Sequence, residues 1–187
     1  MGKEREMKLE KFIRVILGLA LAIGISLSPT ALTVSAAACK PEKPTGKTIG
    51  TISVGNLDMP IKAFNYPAGG IMEPQGTTLA AGLSLRHMPL DSKLGTTVIT
   101  WHVNYNGCWS PLNVLMGKEE GFVITLEDED GVRTKYKIEK KLVVKKGDYK
   151  KSWFTLIGPR QIALFTCTGT FTKGHYEKNM VFIATPF

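Results

Sequence analysis

Between residues 49 and 184 the chain breaks into seven short apolar runs, each closed by turn-forming residues. They cover residues 49–54, 59–64, 96–103 (TTVITWHV), 121–126 (GFVITL), 132–145, 161–167 (QIALFTC) and 180–184 (MVFIA). Most are rich in β-branched and aromatic residues, which lose rotamer freedom in a helix but pack well on a pleated surface. Residues 49–54 and 132–145 alternate in polarity, the period of a half-buried strand. Strands at this spacing predict an all-β domain, a closed or nearly closed barrel or a sandwich. The only soluble stretches that look helical are short, 76–85 and 111–116. The sequence has no internal repeat, Walker loop, dinucleotide fingerprint or His-Glu-x-x-His motif. No cofactor and no metal is therefore expected.

The chain has 187 residues and 43% hydrophobic content, enough for one domain plus a targeting segment. Ordinary apolar content alongside 19 Gly and 10 Pro excludes a collagen, a coiled coil and a wholly disordered chain. Lys3, Arg5, Lys8, Lys11 and Arg14 precede an uncharged apolar run, residues 15–34. At ~1.5 Å per residue, about 20 residues cross a ~30 Å hydrocarbon layer. Basic residues in front of it hold the N-terminus inside, so the remainder is expected outside the cell. Three fates stay open: a retained anchor, a signal peptide cut near Ser35 to Ala38, or a lipoprotein signal ending at Cys39. Residues 1–38 are read as signal peptide or membrane anchor, 39–48 as a Pro-rich spacer, and 49–187 as the exported domain. The expected location is outside, held at the membrane, or secreted or lipid-anchored after cleavage.

The net charge of +8 divides into +3 for residues 1–40 and +5 for residues 41–187. Eight lysines fall between Lys135 and Lys151, after an acidic block containing Glu119, Glu120, Glu127 and Asp130. They alternate with apolar residues and no aromatics interleave for base stacking. The pattern reads as a solvated face of paired strands, and no nucleic-acid partner is expected.

Cys167 closes a strongly apolar run and precedes Thr168-Gly169-Thr170. His102 closes another and precedes Asn104-Tyr105-Asn106-Gly107. A strand end that opens into a loop presents its side chain at a barrel rim. A cysteine and a histidine on two such ends can face each other. The histidine then stabilises a thiolate or takes its proton, and later protonates a leaving amine. Thiols outside the cytoplasm tend to be oxidised, so a cysteine kept there is usually kept for its reactivity.

Residues 163–184 (ALFTCTGTFTKGHYEKNMVFIA) resemble the C-terminal signature of sortases, in which a strand ends in Thr-Cys and a loop returns into a last strand. Residues 49–54 followed by Asp58-Met59-Pro60-Ile61 look like that family's opening strand pair. Residues 94–103, with His102, look like its Gly-x-x-x-Val-x-x-Gly-His segment. The resemblance covers residues 49–186 and implies a sortase-like closed β-barrel with one or two short helices, behind an N-terminal hydrophobic helix. Short loops suggest class E or class F. The order of His before Cys differs from papain-like wall peptidases.

The resemblance implies an exported cysteine transpeptidase. Cys167 and His102 would be catalytic. Cys167 would cleave an LPXTG-like sorting signal, form a thioester, and pass the acyl group to an amine of peptidoglycan or of a pilin. It implies sorting-signal peptides of surface proteins and a membrane as partners. Two positions depart from the family. Trp101 stands where it has glycine before the histidine, and either crowds the groove or faces the core. Asn179 falls at or near its arginine, which binds substrate and stabilises the oxyanion. No arginine follows Cys167. Lys173, Lys178, Arg86 and Arg160 are the candidate replacements, with Thr166 grouped beside them. His87, Trp101 and His175 are candidate groove residues.

Two other readings compete. A sortase-like fold with weak or no activity would bind peptide without cutting it. A zinc site is the other, because His102, Cys108, Cys167 and His175 form an acceptable donor set without the tight Cys-x2-Cys spacing. The three cysteines allow three pairings: Cys39–Cys108, Cys39–Cys167 and Cys108–Cys167. The first leaves the nucleophile available. The last would be an oxidative off-switch and needs Cα atoms within about 7 Å.

Overall fold

The computed structural model describes residues 39–64 and 76–187. The apolar run 15–34, with its proposed helix and its three fates, lies outside the described residues. Among the described residues no helix is long and apolar enough to cross a membrane.

Among the described residues ten strands form: β1 (Thr48–Val54), β2 (Leu57–Phe64), β3 (Ala81–Ser84), β4 (Thr96–Trp101), β5 (Asn104–Tyr105), β6 (Cys108–Trp109), β7 (Val123–Asp128), β8 (Arg133–Lys145), β9 (Gln161–Thr172) and β10 (His175–Pro186). Eight of them close a barrel in the order β1-β2-β3-β4-β9-β10-β8-β7, and β5 and β6 make a separate small hairpin. Closure gives every barrel strand a neighbour on both sides, although β8 past Lys137 and β9 past Thr166 pair in register with β10 alone. β2 with β3 and β4 with β9 are parallel; the other barrel pairs are antiparallel.

The first correction concerns residues 76–85. They hold no helix: 81–84 form β3, all four residues buried, between β2 and β4. Pairing on both sides overrides weak local preference in so short a segment. The other expected helix is present as a 3₁₀ helix, Pro111–Gly117. Pro111 begins it, where a missing N–H costs nothing. The Ser110 hydroxyl accepts from the Leu112 N–H at 3.2 Å, and Leu112 and Leu115 are buried.

Strand alternation builds two apolar layers. Ile99, Trp101, Ile162, Leu164 and Phe182 point into the barrel. Val98, Ala163, Phe165, Val181 and Ile183 point outward and are covered by Trp153, Tyr149 and Phe154. Phe165 stacks on Phe154 at 5.5 Å and meets the edge of Tyr149 at 5.9 Å. Burial on both faces explains the unbroken apolar run at 161–167. β4 is set at its start by Gly95, at φ +69, where a Cβ would lie 2.8 Å from the Leu156 carbonyl.

The Pro-rich segment is more than a spacer. Cys39 is bonded to Cys108, Cα atoms 5.1 Å apart. The Glu42 carbonyl accepts from the Thr77 hydroxyl at 2.8 Å, and the Glu42 carboxylate accepts from the Asn106 amide at 3.1 Å. In the chain-entropy picture a loop of this size is worth about 4 kcal/mol.

Candidate active site

The last paired positions of β4 and β9 are Trp101 and Thr166. His102 and Cys167 are the next residue on each. Neighbouring strands run ~4.8 Å apart, so the register puts these two side by side. Trp101 faces the barrel interior, hence His102 and Cys167 belong to the outward face, in line with the Thr100–Phe165 pair.

Cys167 does not end its strand as its loop-like successors suggest. β9 continues to Thr172 and turns through Lys173 and Gly174 into β10. The irregularity is a register shift between Tyr176 and Lys178, opposite Gly169, which has φ +85. Such a bulge re-aims the side chains beside it. Beyond the shift, Asn179 stands directly opposite Cys167. Its Nδ2 donates to the Thr166 carbonyl at 3.0 Å and lies 3.9 Å from Cys167 Sγ. Its Oδ1 accepts from the Tyr149 hydroxyl at 2.7 Å. Burial holds the Tyr149 hydroxyl above its usual pKa, and charge at Cys167 and Asp148 adds to this. It therefore stays protonated and able to donate.

Cys167 is a thiol, outside any disulfide, and is 9% exposed. It opens onto a pocket of about 450 Å³. Asn104 to Gly107 wall one side of it and Phe171, Gly174, His175 and Tyr176 another, with His102, Cys167 and Lys146 also lining it. His102 stacks on Tyr105, ring centres 5.1 Å apart. Among the described residues no carboxylate lines the pocket. A thiol and an imidazole in one pocket are the pair that activates a cysteine nucleophile.

A family model, the sortase domain, matches residues 57–187. The chain belongs to the sortase family. Its fold is similar to that of sortase A from Corynebacterium diphtheriae, at 20% identity and TM-score 0.59, covering 76% of this chain and 62% of that one. It is also similar to the pilus-related sortase C of Group B Streptococcus, at 18% identity and TM-score 0.58, covering 76% and 69%. Sortase C from Clostridium perfringens SM101 aligns at 15% identity and TM-score 0.54, covering 76% and 71%. No curated protein sequence matches the chain.

Of the expected site residues, this sortase fold brings together His102, Cys167 and His175 in one pocket, with Asn179 behind the thiol. The others lie elsewhere. Trp101 is 2% exposed, inside the barrel, stacked on Phe182 at 6.4 Å, and its indole N–H donates to Asn113 at 3.0 Å. It does not crowd the groove. Thr166 also faces inward and donates to the Trp101 carbonyl at 2.9 Å. Arg86 and His87 follow β3 and lie at the start of β4, where Met88 N–H bonds Thr96; His102 is at the other end. His87 instead contacts Ser84 at 2.8 Å and the Phe154 ring at 5.5 Å. Arg160 precedes β9, seven residues and about 23 Å of strand from Cys167. It donates to the Leu90 carbonyl at 2.9 Å and lies over the Tyr136 ring. Lys178 alternates to the face away from Cys167 and pairs with Glu177 at 3.3 Å. Lys173 occupies the β9–β10 turn at φ 52, exposed.

The zinc reading is overturned because Cys108 is bonded to Cys39 and has no thiolate to offer. The same bond removes the Cys108–Cys167 pairing from this structure. It also occupies the Cys39 sulfur that lipidation requires. Sequence reasoning missed Lys146 and Tyr149. Both lie at the end of the lysine-rich stretch read as a solvated face, and no local signal separates them from it.

Proposed function

We propose that this chain is a cysteine transpeptidase that acts on a sorting-signal peptide outside the cell, with residues 1–38 as its anchor or signal. The observation that carries the reading is that His102 and Cys167, each the next residue after the last β4–β9 register pair, line one pocket. Cys167, deprotonated with His102 as the imidazolium, attacks the carbonyl of an LPXTG-like signal at its Thr–Gly bond. The tetrahedral adduct collapses, the C–N bond breaks, and His102 gives its proton to the leaving amine. A thioester on Cys167 remains. An amine of peptidoglycan or of a pilin then gives a proton to His102 and attacks the thioester. The C–S bond breaks, a new amide forms, and the thiolate–imidazolium pair returns. The resemblance of the sequence favours a class E or class F member.

The test is mass spectrometry of the full chain after incubation with sorting peptides of varied sequence. A peptide acyl adduct on Cys167, absent in Cys167→Ala, is expected. His102→Ala should slow turnover by roughly 10²–10⁴-fold. Full activity in either variant would sink the assignment. The neutral Asn179 favours a second reading, a sortase fold that binds peptide without cleaving it. Saturable peptide binding with no adduct and no turnover would establish that one.

A further inference from the structure

A histidine that stabilises a thiolate and later protonates a leaving amine has to keep its ring in one orientation. His102 stands one residue past the end of β4, and the chain runs from it through Val103 into the β5–β6 hairpin. We propose that Tyr105, on that hairpin, positions the His102 imidazole and favours its charged form. This rests on the transpeptidase reading above and names a residue outside its expected set.

The first observation is the ring contact. The rings of Tyr105 and His102 lie 5.1 Å apart at an interplanar angle of 28°, within the range of an offset stack. A phenol ring carries a negative face, so it attracts an imidazolium more strongly than a neutral imidazole.

The second observation is the platform that carries the tyrosine. Asn106 and Gly107 have positive φ, 49 and 77, the two-residue turn that sets a hairpin's register. Tyr105 then pairs directly with Cys108. A two-stranded hairpin by itself is only marginally stable, but this one is tied down around the tyrosine. Cys108 is bonded to Cys39, and the Asn106 amide donates to the Glu42 carboxylate at 3.1 Å. At the hairpin's base the Val103 carbonyl accepts from the Ser110 N–H at 3.1 Å and from the Asn113 amide at 2.7 Å. The segment before β1 thus fixes the hairpin, and the hairpin fixes the ring against the imidazole.

Tyr105, His102 and Cys167 line one pocket, and its other titratable groups are Lys146, His175 and Tyr176. Tyr176 packs on Phe171 at 5.0 Å, on the wall made by β9 and β10. Tyr149 reaches the thiol through Asn179.

The experiment is the pH dependence of Cys167 alkylation by iodoacetamide in the full chain, followed by mass spectrometry of the Cys167 peptide. Wild type, Tyr105→Ala and Tyr105→Phe are compared, each also in a His102→Ala background. The midpoint is read, not the plateau rate, because a smaller wall residue admits reagent faster without moving the midpoint. Losing the ring disfavours the imidazolium, so Tyr105→Ala should raise the thiol's apparent midpoint by about half a pH unit or more. Tyr105→Phe should recover most of that shift, and in the His102→Ala background Tyr105→Ala should add nothing. Where a peptide adduct forms, its rate should fall roughly tenfold in Tyr105→Ala. A Tyr105→Ala midpoint equal to wild type overturns the proposal. So does an equal shift in Tyr105→Phe, which would assign the effect to the hydroxyl, or an undiminished shift without His102, which would place it on the thiol directly. No step uses a peptide, so a shifted midpoint without any peptide adduct would remove the transpeptidase reading and leave Tyr105 in its role.

Discussion

Asn179 and Cys167 face each other across β10 and β9, with the amide nitrogen 3.9 Å from the thiol sulfur. The amide can point only one way. Tyr149 donates to its oxygen, and the Thr166 carbonyl accepts from its nitrogen. Turning it over would set two carbonyl oxygens against each other. The thiol is thus met by an N–H donor whose direction is fixed from a third segment of the chain.

Removing the Tyr149 hydroxyl tests that arrangement. Tyr149→Phe keeps the ring contacts with Phe154 and Phe165 but leaves the buried Asn179 oxygen without its donor. A loss of about 1–3 kcal/mol in stability is expected, together with slower Cys167 alkylation at neutral pH. Urea unfolding and thiol kinetics measure the two. Unchanged values in both would show that the amide is held by Thr166 alone.

The Cys39–Cys108 bond ties the segment before β1 to the hairpin that walls the pocket. Non-reducing digestion should yield a Cys39–Cys108 peptide and an alkylatable Cys167. Reduction should cost about 4 kcal/mol of stability on the chain-entropy estimate, seen as a lower melting temperature. A Cys108–Cys167 peptide as the main product would contradict the pairing.

His87 is set against Phe154 and Ser84, and its pKa lies below 6.5 because burial, then the neighbouring Arg86, disfavours the imidazolium. The unfolded chain then binds the proton more readily. The stability held by neutral His87 is complete above about pH 6.5 and is lost as pH falls below it. Urea midpoints should drop between pH 7.5 and pH 5, and less steeply in His87→Gln. Identical slopes for both proteins would remove His87 from the account.

Trp101 is a core residue where the family has glycine. If it crowded the groove, a smaller side chain would raise activity. Its burial predicts otherwise. Trp101→Ala should cost roughly 3–5 kcal/mol, and the loss of its bond to Asn113 should loosen the segment after His102, since Asn113 also donates to the Val103 carbonyl at 2.7 Å. Denaturant unfolding reads the first effect. An active variant of native stability would refute the packing.

The strands were legible because alternation and β-branching are local properties. β1, β2, β4, β7 and β8 lie within a few residues of their expected runs. The resemblance carried by residues 163–184 supplied the family, and the ends of two apolar runs supplied His102 and Cys167. What sequence could not supply is pairing. β3 is four residues of no marked pattern, strand only because β2 and β4 flank it. β9 runs five residues past Cys167 because β10 pairs with it. Whether Trp101 faced groove or core depended on which side of β4 the barrel closed around. Arg86 and Arg160 looked like plausible partners until strand direction set them at the far end. Lys146, 21 residues from Cys167 in sequence, comes to the pocket through two successive ladders. Periodicity records which residues share a face, whereas the partner across the sheet is chosen by long-range register, and register decides which side chains line the pocket with the thiol.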